Sequence, residues 1–243
     1  MSATRYDLDA TIWNRRVALF CLGGSAMVGV LDLTLYHWAL QPSEIIGQSF
    51  NIGEEQSLGT WVSTFLALFT GLVAAGIAAS SRLRSGLNSV TLGWVVVALF
   101  FLFISFDDTA RFHERAGTAM RVKVEALTET PLQTWFPSWG WQIYVMPVFA
   151  AVGAYLAWFF WRELPPSRRV FAYLGFALFA TAVSIDFVEG VLDRRGVEIN
   201  HLMRLVEELL EMVGTTAFLY AFLQTLGDRV RMTIFLQNHS ADA

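Results

Sequence analysis

Carboxylates and imidazoles are concentrated in a few short stretches of this 243-residue chain. Three of its four histidines fall in the same polar stretches as most of its acids, and only His239 lies in the C-terminal tail. Carboxylate and imidazole ligands without thiolates suit iron, manganese or zinc better than copper(I). We therefore expect an iron or zinc site with one or two metal ions. The candidate ligands are Asp107, His113, Glu114, Asp186, Glu189, His201, Glu208 and Glu211.

Helical spacing places several of these residues on shared faces. Asp186 and Glu189 are three positions apart, about one helical turn, and Glu208 and Glu211 repeat that spacing. Helical bundles build two-metal carboxylate sites by bringing acids from several helices to one level. Those sites pair Glu with His at this spacing, whereas here acid is paired with acid. A single metal ion held by two histidines and one or two acids is therefore an equal alternative.

Ion pairing is the plainer explanation for the same pattern. Several arginines lie near these acids in the chain, two of them (Arg111 and Arg204) at i,i+3 or i,i+4 spacing, and would neutralise them in surface networks; they are Arg111, Arg115, Arg194, Arg195 and Arg204. The isolated acids are expected to be solvated in connecting loops; they are Glu44, Glu125, Glu129 and Glu198.

Two further residues lie in the second half of the first apolar segment. Asp32 falls deep within that segment, where an ionisable side chain usually faces the bundle interior and has a partner. His37 lies between Tyr36 and Trp38, a pattern that favours an aromatic belt at the membrane surface.

Several familiar functions are excluded by residue type. Lys123, the sole lysine, lies in a polar connector, so no helix offers a Schiff base for retinal. The chain contains no glycine-rich phosphate loop, no HExxH and no CxxC. Cys21 is its one cysteine, which rules out an intramolecular disulfide. A net charge of −4 argues against a nucleic-acid partner.

The elements that must position these groups are membrane-spanning helices. With 55% hydrophobic and 16% charged residues, the chain is too apolar for a soluble globule. Six runs are long enough to cross a hydrocarbon core of about 30 Å. They are 17–40, 60–81, 85–106, 135–161, 170–189 and 207–227. We predict an all-α, six-helix integral membrane bundle forming one domain over 1–243.

Connector charge predicts the orientation of the bundle. One set of connectors, together with both termini, holds 10 basic and 5 acidic residues, and the other set holds 7 basic and 15 acidic residues. The positive-inside rule then places both termini in the cytoplasm and the candidate site outside it. We expect a bacterial inner (plasma) membrane location with a periplasm-facing site.

Two motifs resemble those of bacterial multi-spanning membrane proteins of unknown activity. One reads S-x-D-[DE] followed by H-E, here Ser105-Phe-Asp107-Asp108 with His113-Glu114. The other reads E-E-x-x-E-M-x-G, here 207–214. The resemblance implies that the acids and histidine form one unit, and it implies no reaction.

The sequence therefore predicts a membrane protein with an extracytoplasmic carboxylate and histidine metal site. As an enzyme it would be a metal-dependent hydrolase or oxidoreductase. One alternative is a proton- or cation-coupled transporter that uses the same acids, and another is a structural or assembly subunit of a membrane complex. The expected partners are the lipid bilayer and either a second copy of the chain or a membrane complex.

Overall fold

The computed structural model describes residues 3–38, 40, 43–54, 56–128 and 142–241. These residues are helical apart from short connections. The helices are α1 Ala3–Leu31, α2 Glu44–Phe50, α3 Leu58–Ser85, α4 Ser89–Ala110, α5 Phe112–Thr128, α6 Gln142–Glu163, α7 Pro166–Arg194 and α8 His201–Ala241. A π-helical segment, Asp32–His37, continues directly from α1.

Six helices are long and apolar enough to cross a membrane, so the predicted number of spans is confirmed. They are Thr11–His37, Leu58–Ser85, Ser89–Ala110, Val145–Glu163, Pro166–Asp193 and His201–Arg231. The predicted third span began too early, because Ser85 is the last residue of α3 and α4 begins at Ser89. Residues 135–141 of the predicted fourth span lie outside the described residues.

Local sequence explains where the helices begin and end. The side chains of Ser57 and Asn88 accept hydrogen bonds from the amides of Thr60 and Thr91, and so cap α3 and α4. Gly86 ends α3 at a φ of 71°, a conformation that favours glycine. Pro166 starts α7, where its missing N–H is not needed.

α8 is the central helix, since it packs against α1, α3 and α7. α3 also packs along α4, where Gly71 allows close approach: a Cβ there would lie 2.9 Å from Leu102. The core in the half of the bundle away from the predicted ligands is aromatic. Its buried rings include Trp94, Phe101, Phe160, Phe218 and Phe222. These contacts hold the polar ends of the helices at fixed relative positions.

Candidate functional site

Carboxylates from three helices lie within electrostatic reach of one another at one end of the bundle. Glu208 is partly buried and lies within electrostatic reach of Asp108 on α4, Glu189 on α7 and two further acids of α8. Glu207 in turn is within reach of Asp186. We call this group the acidic layer; it consists of Asp108, Asp186, Glu189, Glu207, Glu208 and Glu211. The structure thus brings together four of the eight predicted ligands.

The α4 side of the acidic layer is tied to α3 by hydroxyl groups. Ser63 and Thr64 both donate hydrogen bonds to Oδ2 of Asp108. The hydroxyl of Ser105 donates to the backbone carbonyl of Thr64, 3.0 Å away. Asp107, the predicted ligand beside Asp108, is buried at 6% exposure. The sequence reasoning selected Asp107 over Asp108, although it is Asp108 that lies within reach of Glu208.

The α7 side is held by an arginine on α8. Nε of Arg204 lies 3.5 Å from Oε2 of Glu189, whose side chain is 6% exposed, whereas that of Arg204 is 48% exposed. The second oxygen of this carboxylate, Oε1, is buried without a hydrogen-bond partner. A buried oxygen left in this state is unfavourable by about 1–3 kcal/mol, so a bound cation or water there would be stabilising.

Gln142 is a polar neighbour that sequence reasoning missed. Its Nε2 donates a 2.8 Å hydrogen bond to Oδ2 of Asp186. Its own Oε1 is buried and has no partner. No sequence signal marked this residue, because a lone glutamine within the predicted fourth span has no distinctive spacing. Glu189 and Gln142 therefore each have a buried oxygen without a hydrogen-bond partner in the described part of the chain, on the α7 side of the acidic layer.

His201 takes part in a different contact, with Asp32. The Nε2 atom of His201 lies 2.7 Å from Oδ2 of Asp32, which is completely buried. The other oxygen, Oδ1, accepts a 2.8 Å hydrogen bond from the amide of Ile52. Asp32 thus faces the protein interior and has a partner, as expected for an acid in the first span. The identity of that partner was not predicted.

Two aromatic side chains from the π-helical segment surround His201. The ring of Tyr36 is 4.7 Å away, centroid to centroid, at an angle of 57°. The ring of His37 lies 5.7 Å away and nearly parallel, at 15°. His37 is exposed, and its ring packs against the imidazole of His201. We call Asp32, Tyr36, His37 and His201 the histidine cluster.

The structure therefore separates the predicted ligands into groups. Among the described residues, no three His, Cys, Asp or Glu side chains are placed to hold one metal ion. The side chains of His113 and Glu114 lie outside the described ones. A carboxylate and histidine site that includes these two residues stays a prediction.

Comparison with known proteins identifies a family but no activity. No curated protein matches the chain, and no solved structure does. A model described as a domain of unknown function, DUF8692, matches residues 17–226, which include both the acidic layer and the histidine cluster. The chain belongs to the DUF8692 family of domains.

Proposed function

We propose that this protein is an integral membrane metal-binding protein whose metal ion is held at the acidic layer. The observation that carries the proposal is the position of Glu208 among acids from α4, α7 and α8. Burial disfavours the charged form of these carboxylates, and their mutual repulsion adds to that cost because the low dielectric at the edge of a membrane weakens screening. A multivalent cation would relieve that repulsion.

Some groups of the acidic layer lack an ion-pair or hydrogen-bond partner among the described residues, which favours a bound cation over a network of ion pairs alone. Neither Glu207 nor Glu208 forms an ion pair with any residue in the part of the chain that the structure describes. Oε1 of Glu189 is buried and unpartnered. Ionisable groups held in a membrane are usually functional.

Iron is the metal that the donor set favours first, with zinc second. Carboxylate oxygens predominate in the acidic layer, and oxygen-rich helical bundles typically bind iron or manganese, in some cases as a pair of ions. His113 and Glu114 follow α4 closely in the chain and are the proposed additional ligands. The segments 105–108 and 207–214, which carry Asp108, Glu207, Glu208 and Glu211, are the ones that we propose as the signature of this site.

As an enzyme, the protein would use the metal to activate water or oxygen, and a carboxylate of the layer would accept the proton. We favour binding or catalysis over ion passage. The half of the bundle beyond the layer is filled by aromatic rings such as Trp94, Phe160 and Phe222. We propose a bacterial inner membrane as the location, with the layer facing the periplasm.

Metal analysis of protein purified without added metal tests the proposal. Wild-type protein should contain about one or two transition-metal ions per chain. Glu208→Gln and Glu211→Gln should each lower that content, since they retain the side-chain shape but remove the charge. Glu198→Gln, in an exposed connector, is the matched control. Wild-type protein that lacks metal, and whose thermal stability a chelator does not change, would contradict the proposal.

A further inference from the structure

The histidine cluster has the arrangement that proteins use to prepare an imidazole for a metal ion. Asp32 is buried and receives two hydrogen bonds, one on each oxygen, from the Ile52 amide and from Nε2 of His201. Metal-binding histidines almost always donate their second ring N–H to a carboxylate or carbonyl in this way. Such a contact fixes the ring orientation and raises the basicity of the other nitrogen.

The free nitrogen of His201 is the one left for a ligand. Because a carboxylate only accepts hydrogen bonds, Nε2 carries a hydrogen, and the neutral ring that binds a metal ion then has its lone pair on Nδ1. Nδ1 has no hydrogen bond to any residue that the structure describes. The side chain of His201 is 17% exposed, which leaves its ring accessible from outside the bundle.

A second imidazole lies within range of the same ion. The rings of His37 and His201 are 5.7 Å apart. Two imidazoles on one tetrahedral zinc, with Zn–N bonds of about 2.0–2.1 Å, have ring centres separated by roughly 5 Å. His37 is exposed, so its ring can rotate into the coordinating orientation without displacing a packed neighbour.

Backbone structure provides an independent indication. Asp32, Tyr36 and His37 all lie in the π-helical segment, and its wider turn follows twenty-nine residues of regular α-helix. π-Helical turns are rare and occur frequently at functional sites. Here the segment carries both the carboxylate that orients His201 and the histidine that faces it.

We infer that His37 and His201 form a second metal site, which binds a zinc-like divalent ion with Asp32 as the positioning residue. Water completes the coordination, and the ion lies where the first span ends and the last span begins. This site is separate from the acidic layer and does not depend on the function proposed above. Its donors are imidazole nitrogens, whereas those of the layer are carboxylate oxygens.

Zinc binding to full-length protein in detergent tests the inference, after the protein is stripped with a chelator. The Glu208→Gln background lowers the contribution of the acidic layer, so that zinc bound at the histidine cluster predominates. In that background, one zinc ion per chain should bind, His37→Ala and His201→Ala should each abolish binding, and His239→Ala should leave it unchanged. Because His37 is exposed, His37→Ala tests the site without disturbing the fold.

Asp32→Asn and cobalt spectroscopy distinguish a positioning role from a general structural one. Asp32→Asn should weaken zinc binding by about 10- to 100-fold, the usual effect of losing a carboxylate behind a ligating histidine. Cobalt(II) added in place of zinc should give the visible absorption of a tetrahedral nitrogen-ligated ion, and His37→Ala should remove it.

The opposite pattern would overturn the inference. Zinc binding that survives both His37→Ala and His201→Ala excludes the histidine cluster as the site. Zinc binding that is present in wild-type protein but absent in the Glu208→Gln background assigns the ion to the acidic layer, which supports the proposed function and contradicts the second site.

Discussion

Asp32 and His201 are separated by 169 positions in the chain, yet Oδ2 of Asp32 lies 2.7 Å from Nε2 of His201. The contact joins the end of the first span to the start of the last one. A third element is included, because the amide of Ile52 donates to the same carboxylate. One buried acid therefore connects three segments where α1, the loop after α2 and α8 meet.

This connection predicts non-additive mutational effects. Asp32→Ala and His201→Ala should each destabilise the protein, since each removes a partner from a buried contact. The double variant should be less destabilised than the sum, with a coupling of about 0.5–3 kcal/mol. Unfolding in detergent, followed by circular dichroism in metal-free protein, measures the cycle. Strictly additive losses would show that the two side chains act independently.

The ion pair of Arg204 with Glu189 predicts an asymmetry between its partners. Removing the arginine leaves a buried carboxylate, so Arg204→Gln should lower the free energy of unfolding by about 1.5–3 kcal/mol. Glu189→Gln leaves an arginine that reaches solvent, and should be unfavourable by less than about 1 kcal/mol.

Arg162→Gln is the control for that asymmetry, because Arg162 is 53% exposed in its contact with Glu163. It should have little effect on unfolding. Chelator-stripped protein is used throughout, so that metal binding does not contribute. Equal losses for Arg204→Gln and Glu189→Gln would contradict the expected role of burial.

The hydroxyl contacts of Asp108 predict a stabilising role for Ser63. Ser63→Ala removes a hydrogen bond to a charged group between α3 and α4 and should lower stability by about 1.5–3 kcal/mol. Thr181→Ala is the control, because Thr181 is exposed and its hydroxyl donates to the carbonyl of Ala177 in its own helix. Chemical denaturation of the two variants side by side gives the comparison.

Close helix packing predicts opposite effects at two glycines. A Cβ on Gly93 would lie 2.1 Å from a ring carbon of Phe159, so Gly93→Ala should destabilise the bundle by about 1–3 kcal/mol through overpacking. A Cβ on Gly153 meets nothing within 4 Å, so Gly153→Ala should be neutral or stabilising. Thermal unfolding in detergent measures both, and equal behaviour would exclude the close approach at Gly93.

Connector charge predicts the orientation of the bundle. Reporters fused after Arg84 and Arg231 should be cytoplasmic, and a reporter fused after Glu198 should lie on the opposite side. The reverse result would place the acidic layer and the histidine cluster in the cytoplasm. Two reporters are used, one active only in the cytoplasm and the other only outside it. Either orientation then gives a positive signal from one of them.

The sequence by itself determined the fold class and the six spans. Apolar runs such as 60–81 and 207–227 identify their helices because crossing a membrane depends on local length and hydrophobicity. The same local reasoning placed Asp32 inside the bundle. Helical spacing also indicated that Glu208 and Glu211 share a face with each other.

Only the tertiary structure decided which polar groups meet. Helical periodicity describes one helix at a time, whereas contacts between helices depend on packing order and rotation. For this reason His201, which the sequence grouped with the acids of α8, is instead bonded to Asp32 of the first span. Gln142 and Ser63 bond to acids of the acidic layer for the same reason: their positions follow from how α6 and α3 pack, and no spacing along the chain encodes that.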